Sequence, residues 1–440
     1  MEKLDFLKIK KDWTVPVEYQ PSDQKIEWQS SRKIVQNLKN KLLSLGYEDI
    51  SKGFDEIPKF LEKNLRNQLS LLNDFQFSDR EWSDFLNNFI FQLGDGKKGR
   101  IEKIQKGELY ELKDENDRII KNVRLVNKRE LSKNKLQFIC QDERNEVIIF
   151  INGLPFVLIS IFEFNSPLQS SFQAWKIINS LIDDEKFKKF SDYLHLFVWT
   201  NAKETRYCSI TTWDNLKEKR KSVRGLSNSS FKSLMRWSDS ENNKIDYIED
   251  FATHFLNKNA LLNVICKFCV FRSNSDLWVM RPYQICATER ILEKIKEDNR
   301  NSKNSKNASK GGCIWHSTGS GKTLTSFKAV QLASEIDFVD KVLFVVDRKD
   351  LDNQTIEEYE KFQAGSVSET ENTNDLKEKI LDDSTATRAI VTTIHKLKRL
   401  IDQRSKLKDE DLKKKNIVLI FDECHRSQFG KMKQEIDEFF

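Results

Sequence analysis

The chain has few cysteines, no long apolar run, no internal repeat and little excess of charge of either sign, and each shortage removes a class of protein. Cysteine supplies seven of the 440 residues, at 140, 208, 266, 269, 286, 313 and 424. Scattered and odd in number, these do not describe a disulfide framework and fit a reducing compartment. The close pair Cys266 and Cys269 follows the apolar run Leu261–Ile265 with no second pair to complete a tetrahedral zinc site, so it reads as buried helix packing. The most apolar stretch, Val147 to Phe164, is broken by Asn152, Gly153 and Pro155, which describes two strands and a turn rather than a membrane helix. Met1–Asp5 leads into charged sequence and not into a signal-peptide pattern, so a cytoplasmic protein with no membrane partner is expected. The 74 Lys+Arg against 68 Asp+Glu leave +6, which permits nucleic-acid binding without arguing for it, because most such charges are solvated.

The length allows about three domains of ordinary size. Through residues 1–93 charged and aromatic positions alternate, and between Asp79 and Ile90 the apolar residues recur at spacings of three and four, which predicts amphipathic helix. From Gly94 the texture changes. Gly94-Asp95-Gly96 is a turn signal, and Val147–Ile151, Phe156–Ile161, Leu194–Trp199 and Arg206–Thr211 predict strands of one mixed sheet, with a helix crossing at about 170–181. Residues 242–279 predict a helical connector. From Met280 a second block begins, in which the polar run Asp298–Lys310 predicts a surface loop. After it, strands at Ile314–Trp315, Val342–Val346, Ala389–Thr392 and Ile417–Phe421 alternate with helices from Lys322 and from about Asp350. The fold class is therefore α/β, with a parallel sheet in residues 280–440 and a mixed one in 94–241.

Two motifs in the second block carry chemistry. In His316–Thr323 the turn at Thr318, Gly319, Ser320 and Gly321 lets backbone N–H groups approach phosphate oxygens, and the helix that follows adds the positive end of its dipole. Lys322 then meets the β- and γ-phosphates of ATP and Thr323 holds Mg²⁺. The full pattern has glycine where His316 stands. The bland alternative, a structural turn, is disfavoured by the strand and helix on either side. About a hundred residues on, Asp422 and Glu423 close an apolar strand, where ligands of open α/β sheets bind. Asp422 reaches the metal through its water shell, Glu423 orients or deprotonates the attacking water, and His425 senses the nucleotide. Gln284, in Arg281-Pro282-Tyr283-Gln284, is either a solvated side chain or the reader of the adenine edge.

Met280–Gln284, Ile314–Lys328, Val345–Leu351 and Asp422–Ser427, in this order and spacing, resemble the R subunit of type I restriction enzymes, and Asn152–Pro155 and Arg236–Asp239 extend the resemblance over nearly the whole chain. It implies a superfamily 2 DNA translocase behind an N-terminal restriction-endonuclease-like domain, double-stranded DNA as substrate, and modification (M) and specificity (S) subunits as partners. It also implies that Val345–Asp350 and Thr392–Lys396 line the DNA track, where Arg348, Lys349 and Lys396 would meet phosphates, solvated charge being the alternative.

Nucleases of this class need an acid on one strand and acid-x-Lys on the next, so that carboxylates hold Mg²⁺ while the lysine assists the water. Counted from Asn152–Pro155, the first acid falls at Glu146, one methylene longer than the family's Asp. The second acid falls at Ser160 and the lysine at Phe162, with Glu163 on the opposite face, and the family's Gln and Tyr fall at Ile177 and Leu181. Serine cannot be an anionic ligand and phenylalanine carries no charge, so a nuclease fold with a degenerate site is expected. The chain is also expected to lack the second RecA-like domain of such motors, and with it the arginines that stabilise the transferred phosphoryl group. That leaves either part of a split R subunit, completed by a separately encoded C-terminal half, or a remnant that binds DNA or subunits without turnover. A generic superfamily 2 helicase is the third reading, against which Asn152–Pro155 and Met280–Gln284 argue.

Overall fold

A computed structural model describes residues 13–22, 30–52, 58–114, 116–164, 166–170, 187–222, 231–272, 276–302, 311–317, 319–346, 359, 368–384, 387–402 and 415–422. The chain divides into two compact units, Met1–Phe271 with Ser275–Tyr283 and Arg272–Asn274 with Gln284–Phe440.

The first unit opens with helices dictated by apolar spacing. α1 (Ser31–Ser44) is capped by Ser30, whose hydroxyl accepts from Lys33 N at 3.4 Å, and it buries Ile34, Val35, Leu38 and Leu42. α2 (Lys59–Asn73) buries Leu61, Leu65 and Leu69, each leucine contributing about 1.5–3 kcal/mol by leaving water. α3 (Asp79–Phe85) has a reciprocal cap between Ser78 and Glu81 and runs into a wider π-type turn at Leu86–Ile90. Between α1 and α2 lies β1 (Glu48–Asp49), too short to leave a signal in the sequence, which pairs in parallel with Gln137 and Phe138. α4 (Gly96–Lys106) and an antiparallel pair, β2 (Leu109–Lys113) and β3 (Ile119–Arg124), lead to the main sheet.

That sheet adds β4 (Leu136–Gln141), β5 (Glu146–Ile151), β6 (Leu154–Ile161), β7 (Leu196–Thr200) and β8 (Thr205–Ser209), in the order β1-β4-β5-β6-β7-β8. It is mixed, because β1–β4 and β6–β7 run parallel and the other neighbours antiparallel. β5, β6 and β7 are buried along their whole length, which is why they read as unbroken apolar runs and not as alternation. Of the crossing helix expected at about 170–181, residue 170 is described and is helical, and 171–181 fall outside the described residues. A short α5 (Lys188–Ser191) precedes β7. The strand expected to reach Thr211 stops at Ser209, whose hydroxyl accepts from Thr212 N at 3.2 Å and so caps α6 (Ile210–Ser222). Of residues 242–279, expected to be helical, α7 (Ile248–His254) and α8 (Lys258–Cys266) are helices. The aromatic and β-branched runs that follow form an antiparallel pair, β9 (Cys269–Phe271) and β10 (Leu277–Val279).

The β5–β6 turn explains why Asn152 and Gly153 stand out in the sequence. Their φ angles of 51° and 84° make a two-residue turn whose twist matches the flanking strands. Asn152 is buried and fully used: its amide donates to Leu125 O at 3.0 Å and Asn134 Oδ1 at 2.8 Å, and its oxygen accepts from Lys135 N at 2.8 Å. A Cβ on Gly153 would lie 2.7 Å from Leu65 Cα in α2.

In the second unit α9 (Pro282–Ser302), which belongs to it from Gln284 on, and α10 (Lys322–Ser334) precede β11 (Lys341–Val346), β12 (Ser368–Glu369), α11 (Thr373–Leu381), β13 (Ala389–Thr393), α12 (Ile394–Asp402) and β14 (Ile417–Phe421). The sheet order is β12-β13-β11-β14, and every pairing is parallel. Leu343 and Val345 of β11, Ile390 of β13, Leu376 and Ile380 of α11 and Leu397 and Leu400 of α12 form one buried cluster. The polar run expected to be a loop from Asp298 starts inside α9, where Lys294–Asp298 at 2.9 Å and Arg300–Glu293 at 3.0 Å support the helix; 303–310 fall outside the described residues. Ile314–Trp315 is not a strand: residues 311–317 carry no regular structure and Trp315 is 90% exposed, two apolar residues behind Gly311-Gly312 being too few to bury. The helix expected from Asp350 falls on 347–358, also outside the described residues. Among the described residues no helix is long and apolar enough to cross a membrane.

Candidate functional site

The glycine loop is shaped by two left-handed residues and held by three side chains. Gly319 and Gly321 have φ of 76° and 81°, which only glycine adopts without strain, and they turn the chain into α10. Ser320 donates from N to Ser317 O at 3.2 Å and from Oγ to the same oxygen at 2.7 Å. His316 Nδ1 lies 3.0 Å from Ser320 Oγ. Because the serine proton is committed to Ser317 O, the imidazole Nδ1–H is the donor. Burial, and then the charge of Lys322, hold the His316 pKa below its usual value. From α9 the buried Gln284 donates Nε2 to Ser320 O at 3.0 Å, and a Cβ on Gly321 would lie 2.3 Å from that nitrogen.

Lys322 is the first residue of α10, and Thr323 follows in the same turn. β11 and β14 run parallel as neighbours, and Asp422 N continues their ladder by donating to Val345 O at 3.0 Å. This brings Asp422 Oδ1 to 3.9 Å from Lys322 Nζ, both side chains being partly exposed. A cation, a helix N-terminus, a hydroxyl residue one position further along that helix and a carboxylate thus lie at the carboxyl ends of β11 and β14. This donor set fits a polyphosphate with a hard divalent cation, since the first two favour anionic oxygen and the last two are oxygen ligands. Thr318, Glu423, Cys424 and His425, with Arg348 and Lys349, lie outside the described residues. Lys396 of α12 is half-buried, its ammonium donating to Thr370 O and lying 3.4 Å from Thr370 Oγ1. Thr370 in turn donates to Val391 O at 3.1 Å.

In the first unit Glu146 and Ser160 face each other across β5 and β6, and both are buried. Phe162 lies just past the end of β6, its N–H donating to Thr200 O at 2.8 Å. Glu163 is exposed and accepts from Ser31 Oγ at 3.0 Å. Ile177 and Leu181 lie outside the described residues. Among the described residues no three His, Cys, Asp or Glu side chains are grouped to hold a metal ion. Two features that sequence reasoning missed, the grip of Gln284 on the loop backbone and the bonds of Asn152 to Asn134, depend on partners 36 and 18 residues away and leave no pattern in one sequence.

The fold and the loop define a protein with an ATPase-type α/β unit and a mixed α/β unit before it. Comparison with known families gives both units a description. Residues 283–440 match the SWI2/SNF2 ATPase family, and residues 29–216 match the type I restriction enzyme R protein N terminus. The chain is 32% identical over 422 residues to the type I restriction enzyme SauCOLORF180P endonuclease subunit of Staphylococcus aureus (strain COL), an alignment covering 94% of this chain and 42% of that one. It is 33% identical over 302 residues to the type I restriction enzyme EcoprrI endonuclease subunit of Escherichia coli, covering 66% of this chain and 87% of that one. The chain belongs to the family of type I restriction enzyme endonuclease subunits. It spans about two fifths of the length of the staphylococcal relative.

Proposed function

We propose that this chain supplies the N-terminal and nucleotide-binding units of the R subunit of a type I restriction-modification system. With M and S subunits such an enzyme binds double-stranded DNA and translocates it with ATP hydrolysis. Cleavage by such enzymes falls at sites away from the recognition sequence. The observation that carries the reading is the approach of Asp422 to Lys322 at the end of a glycine loop, 3.9 Å apart. In this reading residues 280–440 are the helicase-type ATP-binding domain, 94–241 the nuclease-like domain, 1–93 a helical region and 242–279 its connector, in a cytoplasmic protein.

Each side chain then has a task. Backbone N–H groups from Thr318 to Gly321 and the ammonium of Lys322 offset phosphate charge, with the helix dipole behind them. Thr323 and Asp422 hold Mg²⁺, Glu423 orients the water, and Gln284 couples the adenine end to the loop backbone it already grips. Bound Mg·ATP supplies the phosphoryl group and the charge that polarises it. Arg348 and Lys349 meet DNA phosphates, and Lys396 does so by exchanging its bond to Thr370 for one to phosphate.

We also propose that the nuclease-like unit does not cut. Of Glu146, Ser160 and Phe162 only the first can carry negative charge, and none can replace the lysine. The test is the purified chain with its M and S partners on a supercoiled plasmid in Mg²⁺ and ATP. The expected result is a stable complex, bound ATP and an uncut plasmid. Random double-strand cuts would overturn the loss of cleavage, and failure to bind both ATP and the M and S subunits would overturn the R-subunit reading.

A further inference from the structure

The contacts that hold the first turn of α10 lead to a tyrosine outside the loop. Tyr359 is completely buried, packed edge-on against Phe327 of α10 at 5.2 Å and tilted against Phe344 of β11 at 5.3 Å. Its hydroxyl donates to Ser326 Oγ at 2.9 Å, and Ser326 Oγ donates to Thr323 O at 3.0 Å. The direction follows from proton count: the single serine proton is used on the carbonyl, so the tyrosine proton must serve the serine. The two ring contacts already seat the side chain, and a phenylalanine would keep them. The hydroxyl does something the rings do not, which is to fix Ser326 and, through it, the backbone of the residue assigned to Mg²⁺.

We propose that Tyr359 is a positioning residue for the Mg·nucleotide site, acting through Ser326 on the orientation of Thr323. This rests on the reading of His316–Thr323 as a nucleotide site. Groups that orient a metal-binding residue without touching the metal change metal affinity when removed, whereas a hydroxyl that only satisfied a buried atom would change stability and leave the metal dependence alone. The half-buried Ser326 gives a second variant, Ser326→Ala, that the fold tolerates if Tyr359→Phe does not.

The experiment is titration of the full chain with a fluorescent ATP analogue, in EDTA and across a range of Mg²⁺ concentrations, for the parent, Tyr359→Phe, Ser326→Ala, the double variant and Ser326→Thr. The Mg²⁺ concentration giving half-maximal gain in nucleotide affinity is expected to rise about 10-fold in either single variant. The double variant should be no worse than the singles, because both break one chain of bonds, and Ser326→Thr, which keeps a hydroxyl, should stay near the parent. An unchanged Mg²⁺ requirement in both single variants, with only the melting temperature lowered, overturns the proposal. Absence of saturable ATP binding by the parent overturns the nucleotide reading and this proposal with it.

Discussion

Replacing Gly153 by alanine should destabilise the first unit more than replacing any other left-handed glycine described, for a reason that can be isolated. Two costs arise. The φ of 84° places an L-residue in the left-handed region, at about 1–2 kcal/mol. The new Cβ would also sit 2.7 Å from Leu65 Cα and 3.1 Å from Leu65 N, backbone atoms of a buried helical residue that cannot swing away. Overpacking of this kind adds about 1–3 kcal/mol, for a total of about 2–5 kcal/mol. Gly107, which ends α4 with φ 68°, supplies the control: its Cβ would meet only Lys128 side-chain carbons at 3.7 and 3.9 Å, so Gly107→Ala carries the strain without the clash. Asparagine sharpens the contrast, because it tolerates positive φ. Gly107→Asn should recover most of the loss, whereas Gly153→Asn should be no better than Gly153→Ala. Urea unfolding followed by tryptophan fluorescence, with Trp199, Trp213 and Trp237 buried in this unit, reads the difference. Equal losses at the two glycines, or rescue of Gly153 by asparagine, would refute the close helix–turn approach.

His195 should make the first unit acid-sensitive. Burial lowers its pKa to about 4 from the usual 6.5, with the ring stacked on Phe156 and Nδ1–H donating to Tyr193 O. A depressed pKa means the neutral ring is the folded form, so its contribution is complete above pH 6.5 and falls by about 3 kcal/mol as pH drops to 4; His195→Phe should flatten that part of a stability–pH curve, and an unchanged curve would speak against it. Arg236 joins Glu204 and Asp246, the first also bound by Arg206, and about a quarter of each side chain stays exposed. Arg236→Ala should therefore cost only about 1–2 kcal/mol in thermal unfolding, less than a sealed ion pair. Gly321→Ala should push the Gln284 amide from Ser320 O and weaken ATP binding, while Gln284→Ala in the same background should add little further loss.

Much of the fold was legible because the core strands state themselves. Val147–Ile151 and Phe156–Ile161 are apolar runs that became fully buried strands, Ile417–Phe421 one that became a half-buried strand, and the Asn152-Gly153 pair between the first two could be read as a tight turn. Legibility failed where few residues decide an element. β1 has two residues and owes its place to a partner some 90 positions away, and Ile314–Trp315 reads as a strand yet has too little apolar surface to be held as one. In the candidate site the glycines, Lys322 and Asp422 could be placed from spacing, because backbone conformation and charge fix those residue types. The bracing by His316, Ser326 and Tyr359 was not legible, since a hydroxyl or an imidazole gains its meaning from what the fold sets beside it.

In the proposed function the glycine loop and Asp422 form the phosphate and metal side of an ATP site. Equilibrium binding of Mg·ATP to the chain, compared with Lys322→Ala, tests it most directly. A charge-assisted contact is worth about 1.5–3 kcal/mol, so the parent should bind saturably and the variant about 10- to 100-fold more weakly, with both remaining folded. Equal affinity in the two proteins, or no binding by either, would contradict it.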